Sequence, residues 1–115
     1  MNEVKEKQEI TANEEKKKNI IEIPIKHPIE IDNGPDRVLI NSITLDFSKL
    51  TGVDILQIDE QLRLEGKLFD HLYNQRVLLM LASRAANMKM EDLQKLHVAD
   101  YLEVVFQTRN FFIQW

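Results

Sequence analysis

Six consecutive residues, Val77-Leu78-Leu79-Met80-Leu81-Ala82, leave no polar side on whatever element carries them. They fall within a stretch expected to be helical from about Phe69 to about Ala86, with Asn87 ending it. A helix that is apolar all round is normally the buried centre of its domain. The remaining elements are therefore expected to pack around this one, and at 115 residues the chain has room for one domain with one modest core.

The segment before the first apolar run is of a different kind. Residues 1–19 carry five lysines and five acids and no aromatic residue, too little apolar surface to offset the entropy of ordering. They are expected to form a disordered charged tail, with residues 20–115 making the single domain. The opening Met1-Asn2-Glu3-Val4-Lys5 is charged rather than apolar, so a secretory signal is not expected. No apolar run approaches the roughly 20 residues of a membrane-spanning helix. With no cysteine there is no disulfide framework and no thiolate ligand or nucleophile, a composition that suits a reducing cytoplasm.

From Ile20 the pattern becomes that of strands. Ile21-Glu22-Ile23-Pro24-Ile25 and Ile29-Glu30-Ile31 alternate up to the turn cluster Asp32-Asn33-Gly34-Pro35-Asp36, and Pro24 and Pro28 suit an edge or interrupted strand. A second strand is expected over residues 37–47. Its apolar parity slips between Ile40 and Ile43, which predicts a bulge near Asn41 and Ser42. The product is a long hairpin, and a lone hairpin is marginal in water unless something packs on it.

Helices are expected to supply that packing. Thr51 with Asp54 three residues on reads as a capping box, with Leu50 placed to staple onto Ile55; Ile55, Ile58 and Leu62 then share a face, and Gly66 is the expected end. After the central helix come a short helix over residues 90–96 and a closing helix with Asp100 in its first turn, where an acid favours the helix dipole. The fold class is therefore α+β: an N-terminal β-hairpin followed by a small bundle of three to four α-helices.

In the closing helix, Val98, Tyr101, Leu102, Val105, Phe106 and Phe112 follow the spacing of an amphipathic stripe and are expected to face the core. Val104 and Phe111 fall on the other side. Arg109 sits in mid-stripe, which leaves room for the helix to end near Gln107 and for residues 111–115 to turn away. Val104, Phe111, Phe112 and Trp115 are accordingly the candidate partner-binding residues.

No catalytic or cofactor-binding constellation emerges. His27, His71 and His97 lie in three separate elements without ligand spacing, the acidic pairs Asp59-Glu60 and Glu91-Asp92 point about 100° apart on a helix, and Gly34, Gly52 and Gly66 form no phosphate loop. Met80, Met88 and Met90 read as core filler. Residues 20–115 hold ten basic and fourteen acidic residues, without the basic stripe of a nucleic-acid binder. No metal, cofactor, enzymatic activity, nucleic acid or membrane is expected.

Several segments in order carry a resemblance: Lys26-His27-Pro28-Ile29-Glu30-Ile31-Asp32; residues 38–45 continuing into Asp46-Phe47-Ser48-Lys49-Leu50-Thr51-Gly52-Val53-Asp54-Ile55-Leu56; the central apolar helix; Leu96-His97-Val98-Ala99-Asp100-Tyr101; and the closing Phe-Phe. Over about residues 24–112 this resembles the small tail assembly chaperones of tailed bacteriophages. The resemblance implies a non-enzymatic protein that binds the long helical tape measure protein in the host cell cytoplasm, keeps it soluble, helps bring tail tube protein to it, and is absent from the mature virion. It also implies that a frameshifted longer form of the same chain can exist. Within the resemblance Pro28, Ile29, Leu45, Thr51, Asp54, Asp100 and Tyr101 have structural roles, and the contact surface is unspecified. The competing reading is a small intracellular helical regulatory or nucleic-acid-binding adaptor, which would require Arg, Lys and Asn clustered on one exposed helix face.

Overall fold

The structure, a computed structural model, describes residues 19–67 and 74–113. The expected charged tail, apart from Asn19, lies outside the described residues, as do Phe69, His71 and Trp115. The fold is α+β. An antiparallel hairpin of β1 (Ile20–Asn33) and β2 (Asp36–Asp46) leads through a 3-10 turn (Phe47–Lys49) into α1 (Gly52–Leu64), α2 (Gln75–Ala86), the short α3 (Met90–Leu93) and α4 (Val98–Ile113).

The hairpin turns at Gly34 and Pro35. Gly34 takes the positive φ of 64° that a tight loop requires at its first position, and Pro35 brings its own fixed φ to the second. Near the base Ile23 pairs with Ile43 and Ile21 with Leu45; toward the tip Ile29 pairs with Ile40 and Ile31 with Val38. The register changes between Pro24 and Ile29, opposite Asn41. The irregularity thus falls level with the parity slip in β2, but the extra residues belong to β1. Pro24 and Pro28, which cannot donate to a ladder, bracket them and make β1 the strand that yields.

α1 begins and ends as its sequence dictates. Thr51 Oγ1 accepts from the Val53 amide at 3.3 Å and Asp54 Oδ2 accepts from the Thr51 amide at 2.8 Å, completing the capping box. At the other end Gly66 at φ 74° lets the Lys67 amide reach the Leu62 carbonyl and its own amide reach Arg63, a Schellman closure. Leu50 packs against the larger core and Ile55 against the smaller.

α2 starts at Gln75, where Asn74 is extended and its side chain accepts from the Arg76 amide. It stops at Asn87, which takes a left-handed φ of 53°. All six residues from Val77 to Ala82 are buried. One side of the helix, with Leu79, Ala82 and Ala85, joins Ile23, Ile25, Ile43 and Leu45 of the hairpin, Phe47 of the 3-10 turn, and Leu93, Leu96 and Val104 in the larger core. The other side, with Val77, Met80 and Leu81, meets Ile58 and Leu62 of α1 in a smaller one. Two ion pairs tie α1 antiparallel to α2: Arg84 Nη1 donates to Asp54 Oδ1 at 2.9 Å and to Gln57 Oε1 at 2.7 Å, and Arg76 grips both oxygens of Glu65 at 3.0 and 2.6 Å. The Arg76 hydrogen bonds hold the Glu65 carboxyl below its usual range, and the Thr51 amide, then Arg84, do so for Asp54.

Candidate functional site

The closing helix is positioned by a buried acid. Four residues of β1 stand opposite the single Asn41 in the bulge, and the amides of two of them, Lys26 and His27, turn off the ladder. The Lys26 amide donates to Asp100 Oδ1 at 3.0 Å and the His27 amide to Oδ2 at 2.9 Å. Burial opposes ionisation of Asp100, but these two donors, and then the His27 and His97 imidazoles, outweigh it and hold the carboxyl below the ordinary carboxylate range. His97 caps α4, its Nδ1 accepting from the Ala99 amide at 3.1 Å, and its ring stacks on His27 at 4.2 Å. Two histidines that are 70 residues apart in sequence are therefore neighbours in space.

This anchor sets the rotation of α4, and the rotation differs from that expected from the apolar stripe. The face turned inward carries Asp100, Val104, Val105 and Thr108, with Tyr101, Phe111 and Phe112 half-buried beside it. The expected stripe includes Val105, Tyr101 and Phe112 of this face but misses the rest of it, because two of its residues are polar. Both are satisfied where they lie: Asp100 by β1, and Thr108 by donating its hydroxyl to the Val104 carbonyl at 2.8 Å.

The candidate partner-binding residues are placed accordingly. Val104, expected off the packing stripe, is 1% exposed and belongs to the larger core, so it offers no surface to a partner. The helix does not end near Gln107; it runs to Ile113 and carries Phe111 and Phe112 inward. Phe111 stacks on Phe47 at 4.3 Å, while Phe112 meets Phe47 edge-on at 5.7 Å and Phe111 at 5.0 Å. Trp115 lies outside the described residues.

What α4 leaves outside is half of the stripe expected to be core, while Tyr101, Val105 and Phe112 of that stripe do face inward. Val98, Leu102 and Phe106 are 63%, 52% and 51% exposed, and Ile113 follows one turn beyond Arg109. Beside them a groove of about 510 Å³ runs between Gln75 and Leu78 of α2 and Leu102, Phe106 and Arg109 of α4. Its lining combines the apolar Leu78, Leu102, Val105 and Phe106 with the polar Gln75, Glu103 and Arg109. Apolar side chains spaced four apart beside a groove are what an amphipathic partner helix can pack against.

Among the described residues no three His, Cys, Asp or Glu side chains converge to hold a metal ion, and both oxygens of Asp100 are engaged by backbone amides. Among these residues, too, no helix is long and apolar enough to cross a membrane. No protein-family model, curated protein or solved structure matches this chain.

Proposed function

We propose that this protein is a non-enzymatic tail assembly chaperone of a tailed phage, which binds an apolar helical segment of the tape measure protein in the host cytoplasm and promotes tail tube assembly around it. The observation that carries the reading is the row Val98, Leu102 and Phe106 left exposed on α4 beside the α2 groove. A client helix laid along this row would cover its own apolar face and so stay soluble. The ordered resemblance in sequence names the client, and tail tube protein and a frameshifted longer form are further expected partners. Release from the finished particle fits an interface built from one helix face, small beside the roughly 1,200–2,000 Å² of stable complexes.

Coexpression with the cognate tape measure protein tests the proposal. The client's soluble yield is expected to rise and the two proteins to copurify. Leu102→Asp together with Phe106→Asp, both exposed, should abolish copurification while leaving the melt of the chaperone unchanged. A wild-type protein that neither solubilises nor copurifies with the tape measure overturns the assignment. Full retention of binding by the double variant moves the site away from α4.

A further inference from the structure

The two strands of the hairpin protect their outer edges very differently. β1 carries Pro24 and Pro28, a bulge and Lys26, and two of its amides are taken by Asp100. β2 has none of these devices. Its residues 38–45, Val-Leu-Ile-Asn-Ser-Ile-Thr-Leu, contain no charge, proline or glycine. Among the described residues the sheet has two strands; Ser48 donates to the Asp46 carboxylate at the foot of β2, and no hydrogen bond from outside the ladder with β1 reaches residues 38–45. Its tip half is also exposed, with Leu39 at 59%. A long uncharged edge of this kind is a template for a further strand, and proteins normally blunt it.

We infer that β2 pairs edge to edge with β2 of a second copy of this chain, antiparallel about a two-fold axis at Leu39, to make a four-stranded sheet from two hairpins. The sequence of the edge is complementary to itself in that register. Leu39 meets Leu39, Val38 meets Ile40 twice, Arg37 meets Asn41 and Asp36 meets Ser42, so no like charges stand opposite each other. Ile29 and Ile31 already pair with Ile40 and Val38 on one face of each hairpin. Joining the edges makes these residues one apolar strip across four strands. A two-stranded arm is marginal in water, whereas a sheet of three or more strands with an apolar face is not, and the second copy supplies that difference. The pairing does not involve the α4 row and stands whether or not the client of that row is a tape measure protein.

Sedimentation equilibrium of the purified full chain is expected to show a reversible dimer. Leu39→Lys should abolish it and leave a folded monomer that still melts cooperatively, because the side chain is exposed in the single copy and faces its own charge in the pair. Mixing Leu39→Lys with Leu39→Glu should restore it as a heterodimer. Since the chain has no cysteine, Leu39→Cys should oxidise to a cross-linked dimer and Thr44→Cys should not. The inference is overturned by a wild-type chain that stays monomeric at every concentration, by Leu39→Lys dimerising like wild type, or by an association that Leu56→Lys on α1 abolishes and Leu39→Lys does not.

Discussion

The base and the tip of the hairpin are built from the same two strands, joined across a bulge, yet they have different physical standing. At the base Ile23, Ile25, Ile43 and Leu45 are shut between the sheet and helices α2 and α4. At the tip Ile29, Ile31 and Ile40 are half-buried, Val38 and Leu39 are exposed, and Arg37 reaches Glu30 and Asp32 only through solvent-facing pairs at 3.5 Å. Strand propensity is equal in the two halves; what differs is whether a helix covers them. The bulge between Pro24 and Ile29 is the border, and Asp100 fastens it to α4.

The sharpest way to expose this contrast is to cut a cavity at the base. Leu45→Ala removes a fully buried side chain and is expected to cost about 2–5 kcal/mol, read as a drop in the denaturant midpoint. Next is the border. Asp100→Ala strands the Lys26 and His27 amides, and it should lower stability less than Leu45→Ala while abolishing hydrogen-exchange protection of those two amides. Equal protection in the variant would show that the latch does not hold the strand.

Acid offers a milder form of the same cut. Asp54, Glu65 and Asp100 all have folded pKa values below their ordinary ones, so the folded state favours the ionised carboxylate. The stability they contribute is complete above the unfolded carboxylate pKa of about 4 and is lost as pH falls through the lower folded values. A melt series from pH 7 to pH 2 should be level down to about pH 4 and decline below it. Asp100→Asn should flatten part of that decline. The smallest effect belongs to the tip: in the single copy, Val38→Ala should change stability by about 0.5 kcal/mol or less. A larger loss in dilute solution would mean that the tip is packed at home after all.

Much of this arrangement is legible in the chain because local chemistry decides it. Thr51 and Asp54 cap α1 wherever that helix goes, Gly34 and Gly66 stand where positive φ is required, and six apolar residues in a row leave α2 nowhere but the centre. The closing helix is harder. Half of its expected core stripe, Val98, Leu102 and Phe106, is exposed, and its inward face is chosen by a carboxylate meeting two amides more than 70 residues away in sequence. No periodicity within the helix encodes a partner on another element. The start of α2 eluded the apolar pattern for a related reason: Asn74 interrupts with a cap while the residues before it remain partly apolar.

The burial of α2 on two sides also bears on how such a sequence can drift. A residue on an ordinary surface helix answers to one set of neighbours and can escape a bad substitution by turning its helix slightly. Leu79 and Leu81 lie two positions apart, yet they answer to different cores. A rotation that relieved one would crowd the other. Enlargements and truncations between Val77 and Ala82 should therefore be rescued only by paired changes, some in the hairpin and some in α1. Among a population of variants this stretch would be the slowest to change, while the outward row of α4 changed as its partner did.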